Sequence, residues 1–297
     1  GANDTLTTED RQIIIDALKE LRNEVYATGD ADYAGRYIFT GYRTDTSLTF
    51  RENEKTNFNI KELFTGEDLK KSTYIKTGGL GSVNDSNYMD GTNTALATEQ
   101  DVESYTYYRY RASYENLNSP IGNITNGSDT YTVQTEDDPE TAYKNSMDNP
   151  DAVYFVKSTG EYVMGENVYN AIKAAANDDA TKTFEVSYSK DNWIIGDLRP
   201  QHYFACTQTT DAKGVALDTD INYNVDINNP EYNQPIEYQV GFNQYIQVNT
   251  YANEVFQHGI GRDVDEIINL ANNLTDIEKL QSKLKSMYKE VENDESK

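Results

Sequence analysis

The chain has 297 residues, enough to bury about three quarters of its unfolded surface without a disulfide or metal staple. Fifty acidic and 26 basic side chains give a formal charge of −24, which argues against nucleic acid and against an anionic membrane surface as partners. An aromatic share of 11% argues against a disordered chain, and the single Cys206 excludes an internal disulfide and a cysteine-based zinc site.

The first predicted element is a helix. Thr7 and Asp10 have capping-box spacing, and Ile14, Leu18, Leu21 and Val25 then step 4, 3 and 4 along one narrow stripe. Gly29 offers a stop. The next segment, 34–50, is Gly- and aromatic-rich, with Gly35, Tyr37, Ile38, Phe39, Gly41 and Phe50 at intervals. Residues 37–50, together with 236–249, are candidates to cover the helical stripe.

From 51 to 235 the pattern reads as strand. The run 76–82 contains three glycines but lacks the Gly-Lys-Ser/Thr of a phosphate loop, so it reads as a turn. At 105–114, Tyr108, Tyr110, Ala112 and Tyr114 share one face, and Arg109 and Arg111 sit between them. Such a sheet could stack sugar rings, although cross-strand aromatic packing is the commoner meaning. Segments 152–157 and 161–164 flank a three-residue loop ending in Gly160, which predicts a hairpin. A short helix is predicted over 168–176. Further strands are predicted around Phe184, Val186 and Tyr188, at 193–195, at 202–207 and at 221–227. The stretches 82–94 and 115–130 read as long loops.

Candidate chemistry in this middle region is thin. His202 and Cys206 on a strand would share a face about 13 Å apart, too far for a nucleophile–base pair. His258 reads as a surface or helix-terminus histidine. Asp218, Asp220 and Asn222 open like a calcium loop, but Tyr223 stands at the Gly position and Asn229 at the bidentate Glu position. With 50 acids in the chain, no single carboxylate pair is informative for glycoside hydrolysis. No catalytic residue, cofactor or metal site is assigned, and no 18-residue apolar run could cross a bilayer.

The last predicted element is a long helix over about 264–292, roughly 43 Å at 1.5 Å per residue. Asp263 and Glu266 form a second capping-box candidate. Leu270, Leu274, Ile277, Gln281, Leu284, Tyr288 and Val291 then follow a heptad seam. The two terminal helices want each other. The expectation is an α+β chain: a discontinuous, coiled-coil-like helical domain from 1–50 plus 236–297, with a β-rich domain inserted at 51–235.

Two segments carry a resemblance. Residues 34–50 contain Gly35-Arg36-Tyr37-Ile38-Phe39-Thr40-Gly41, and 236–256 contain Tyr238, Gly241, Asn249 and Phe256. These resemble the flagellar hook-associated protein 3 family, the hook–filament junction proteins of the flagellin superfamily. The stretch 196–204, with Gly196-Asp197-Leu198-Arg199-Pro200, resembles members with a large middle domain. Thr49 departs from the Pro that the family often has before the closing Phe. Flagellins lack the Tyr-Ile-Phe-x-Gly segment at this place.

The resemblance implies a structural adaptor outside the cell, exported through the flagellar channel without a cleaved signal. It implies partners among further copies of the chain, hook-associated protein 1 and flagellin, met through the helical domain and the extreme termini. A start at Gly1 and a final helix without a stop signal suit a fragment trimmed of those termini, expected to be a monomer alone. The rival readings are a flagellin-like filament subunit, a glycan-binding adhesin using the Tyr-rich sheet, and a hydrolase using a carboxylate pair.

Overall fold

The computed structural model describes residues 7–76, 103–224 and 236–295. Helix α1 (Thr8–Gly29) opens with the expected capping box: the Asp10 amide donates to the Thr7 hydroxyl, and the Thr7 amide donates to the Asp10 carboxylate. A small hairpin follows, β1 (Asp32–Tyr33) and β2 (Arg36–Tyr37), turning at Ala34 and Gly35 with positive φ.

The body is built on two five-stranded sheets. One has the order β4 (Lys70–Lys76), β5 (Glu103–Arg111), β11 (Glu161–Met164), β10 (Val153–Val156) and β9 (Val133–Glu136). The other has the order β14 (Ala216–Tyr223), β13 (Ala205–Thr210), β3 (Phe58–Phe64), β12 (Phe184–Lys190) and β6 (Ser119–Pro120). All pairings are antiparallel except β9 with β10. Strands β3 and β12 alternate buried and accessible residues, so Phe58, Ile60, Phe64, Phe184, Val186 and Tyr188 line one face. That face packs on Tyr110, Phe155, Tyr162 and Met164 of the first sheet, with Trp193 at the margin. A minor hairpin, β7 (Ile124–Asn126) with β8 (Asp129–Tyr131), lies within the stretch expected to be loop.

The first sheet is covered on its other side too. Helix α2 (Pro139–Asp148) starts at Asp138, whose carboxylate accepts from the Thr141 amide, with Pro139 as the first helical residue. It buries Ala142 and Tyr143 against Tyr105, Tyr107 and Val163. This is why β10 and β11 are buried on both faces. Helix α3 (Glu166–Asp178) closes an edge, where Gly66 lies so near Ala176 that a Cβ there would come within 2.5 Å. The 152–164 hairpin, strand β12 and helix α3 stand where the sequence pattern puts them. Helix α2 has no apolar stripe of its own in the sequence. Its signal was the Asp-Pro start.

After β15 (Glu237–Gly241) and β16 (Gln244–Gln247), a single helical turn, α4 (Ala252–Val255), leads to α5 (Gly259–Glu295). Helix α5 begins before the Asp263–Glu266 pair, which therefore caps nothing. Helices α1 and α5 lie antiparallel: Arg11 pairs with Glu278, Arg22 pairs with Asp265, and the Gly261 amide donates to the Tyr26 hydroxyl at 2.7 Å.

The expected α+β plan with a coiled-coil-like helical domain from both chain ends is corrected here. The described chain is β-rich, with sixteen strands in five sheets and four helices longer than one turn. The heptad positions do not form a buried seam: Ile14, Leu21, Leu270, Leu274, Ile277, Leu284 and Tyr288 are exposed. On α1 the inner face is Ile15, Leu18, Arg22 and Tyr26. On α5 it is Gly261, Asp265, Ile268, Ala271, Thr275 and Glu278. On α5 this lies one residue beyond the apolar stripe, a rotation of about 100°. The two ion pairs and the close Tyr26–Gly261 approach select that rotation. A Cβ on Gly261 would sit 2.8 Å from the Tyr26 oxygen.

Candidate functional site

The structure brings the two recognisable segments together across about 200 residues of chain. The Gly41 amide donates to the Thr250 carbonyl at 2.9 Å. Gly41 has φ +64°, and its Cα faces the Tyr251 ring so closely that a Cβ would come within 2.6 Å. Phe39 meets Phe256 edge to face at 5.2 Å between centroids. Phe256 also lies beside Gly29 and shares a core with Tyr26, Leu48 and Leu198. Phe50 is buried in the body, stacked on Trp193 at 4.6 Å with Arg199 over its other side. Asn249 is buried and accepts from the Ile236 amide, closing the open end of the β15–β16 hairpin. Gly35 sits in the β1–β2 turn, Tyr37 is half-buried and Ile38 is exposed. Tyr238 and Gly241 lie on the hairpin. Leu18 and Val25 are half-buried in the helix pair, and the side chain of Val291 lies outside the described residues.

Among the described residues, two apolar faces of the C-terminal part stand out as uncovered. The first is the outward stripe of α5. Ile267, Leu270, Leu274, Ile277, Leu284 and Tyr288 keep helical period over roughly 32 Å, with the polar Gln281 standing between Ile277 and Leu284. Leu270 is 61% exposed and Tyr288 65%. The second is the β15–β16 hairpin. Tyr238 pairs with Ile246, and the Val248 amide donates to the Ile236 carbonyl, so these four share one face of the ribbon, and exposed Val240 follows at a register shift. The opposite face carries Glu237, Gln239, Tyr245 and Gln247. Phe242, at the tip, is 93% exposed. An isolated two-stranded ribbon is marginal in water, and contiguous apolar patches of this kind mark interaction sites.

The candidate chemistry is elsewhere engaged. The His202 ring donates from Nε2 to the Ser47 carbonyl at 2.9 Å, and burial lowers its pKa to about 4. Burial pushes the Cys206 thiol up to about 12, so it stays protonated. His258 is wedged against the Tyr203 and Phe204 rings, and burial lowers its pKa. The tyrosine strand is no sugar platform: Tyr105, Tyr107 and Tyr110 are buried, and Tyr108 stacks on Tyr169. Arg109 bridges Glu161 and Glu266, and Arg111 donates to the Arg262 carbonyl, so both arginines tie the sheet to α5. Asp218, Asp220 and Asn222 lie along β14 rather than in a loop, with Tyr223 its last residue, while Asn229 and most of 76–82 fall outside the described residues. Among the described residues no group of three metal-ligating side chains converges, and no helix is long and apolar enough to cross a membrane.

A cleft of about 220 Å³ lies where α1 and α5 meet the body. Lys190 is buried in its wall, donates to the Glu115 carbonyl at 2.9 Å and lies over the Trp193 ring. Burial lowers the Lys190 pKa and raises those of Asp197 and Glu115. Arg22 with Asp265 and Arg262 complete the cleft, so three cations face three carboxylates. Opposite charges that balance in this way join the helix pair to the body.

Comparison with family models, with curated proteins and with solved structures finds no match.

Proposed function

We propose that the chain is a structural subunit of a bacterial flagellum, an adaptor between hook and filament that works by assembly and makes or breaks no bond. The observation that carries this reading is the pair of outward apolar faces, on α5 and on the β15–β16 hairpin. An enzyme uses its chemistry inside a cleft, whereas an assembly subunit keeps apolar surface for its neighbours. The interlock of 34–50 with 249–256 supports the reading, because the residues that carry the family resemblance are those that dock the helix pair onto the body. The partners are further copies of the chain, hook-associated protein 1 and flagellin, met outside the cell after export.

Immunogold labelling of whole cells with antibody against this chain tests the proposal. The expected result is one short band where hook meets filament. Label along the whole filament would make the chain a filament subunit. Label on the cell body alone would overturn the flagellar reading.

A further inference from the structure

We propose that the apolar face of the β15–β16 hairpin docks on the outward stripe of α5 in a second copy of this chain. The proposal rests on the assembly reading above and names the contact through which that assembly runs between identical neighbours.

Both faces are uncovered in one and the same molecule. The hairpin presents Ile236, Tyr238, Ile246 and Val248 on one side of the ribbon, with exposed Val240 at the register shift beside them. The α5 stripe is narrow and repeats with helical period, a shape that a sheet face accepts. One type of contact therefore covers both faces at once. A helix-to-helix dimer through α5 would leave the hairpin bare, and a hairpin-to-hairpin dimer would leave α5 bare.

Charge selects the same surfaces. At a formal charge of −24, two copies repel over most of their surface. The segment 236–248 holds Glu237 as its one charged residue, and the far end of the stripe carries exposed Lys285 and Lys289 beside Leu284 and Tyr288. These are low-acid windows on an acidic molecule. Raising the salt concentration screens the repulsion and strengthens this contact, the opposite of what a salt-bridged interface does.

The geometry is head to tail. The hairpin precedes α5 in the chain and is followed by Thr250, which accepts from the Gly41 amide, whereas Tyr288 lies roughly 45 Å along the axis from the start of α5. A contact between unlike surfaces leaves one free face of each kind on every pair, so it propagates into a ring or a helix of subunits. Each face offers on the order of 400 Å² of apolar surface, about half of what one partner buries in a stable complex. A single contact is therefore weak, and the isolated chain in dilute solution is a monomer.

The test uses two single-cysteine additions, Val240→Cys and Leu274→Cys, joined by a short bismaleimide at high protein and salt concentration. Cys206 is buried and stays silent, as the unmodified chain will show. The expected result is a cross-linked pair when the two variants are mixed and none when either is treated alone. Adding Tyr238→Asp to the hairpin partner, with its circular dichroism unchanged, abolishes the product. Product from the Leu274→Cys variant alone, product from the Val240→Cys variant alone, or none in the mixture overturns the contact. A junction band by immunogold together with any of those three outcomes would keep the adaptor and remove this interface.

Discussion

His202 shows what a buried titratable residue does in this chain. Its ring is enclosed beside Ser47, and its pKa falls from the ordinary 6.5 to about 4. The unfolded chain therefore binds this proton below about pH 6.5, while the folded chain refuses it until about pH 4. The stabilisation is complete above pH 6.5 and is lost as the pH falls through that window, about 3 kcal/mol in all. Changing His202→Gln keeps a donor for the Ser47 carbonyl and removes the titration. The loss of stability between pH 7 and pH 5, read from urea melts, should shrink by about 2 kcal/mol in the variant. An unchanged loss would place the titration elsewhere. Glu62 marks the limit of reading at this scale. It is buried, accepts from the Tyr110 and Tyr188 hydroxyls and from Ser113, and holds two sheets together through them. Nothing local in the sequence separates it from 49 other acids, because its partners come from two distant segments.

At the scale of elements, the decisive feature is the rotation of α5 against α1. Gly261 permits it, since the Tyr26 hydroxyl occupies the space a side chain would need. Replacing Gly261→Leu should push the helices apart and cost about 1–3 kcal/mol. Faster hydrogen exchange confined to α1 and the start of α5 would be the signature, with the body unaffected. Uniform loss of protection would show that the helix pair is no separable unit. The start of α1, the hairpin around Gly160 and strand β12 were legible, because a capping box, a turn residue and a period of two are local signals. The facing side of α5 was not. Apolar period alone points to the stripe through Leu270 and Leu274, whereas two arginine ion pairs and one close approach choose the next residue round. The burial of Arg109 and Arg111 on β5 was hidden for a related reason. Arg109 and Arg111 look like solvent-facing charges until Glu161, Glu266 and the Arg262 carbonyl arrive from elsewhere in the chain.

On the scale of the whole molecule, apolar side chains divide into a buried set that holds the fold and an exposed set on α5 and the β15–β16 hairpin. Ile15, Tyr26, Gly29 and Ile268 are buried, whereas Leu274, Leu284, Tyr238 and Phe242 are exposed. The proposed assembly is what would give this second set its partners. The candidate site was partly legible in this sense. The heptad stripe was visible as a surface, and the structure changes what it faces. The most direct measurement is the swimming and filament retention of cells whose sole copy carries Leu274→Asp with Leu284→Asp. Both side chains are exposed, so the purified variant should melt within about 3 °C of the parent. The account predicts that the variant chain is exported but filaments are shed, so cells fail to spread in soft agar. Normal spreading, with the variant still banded at the junction, would contradict it.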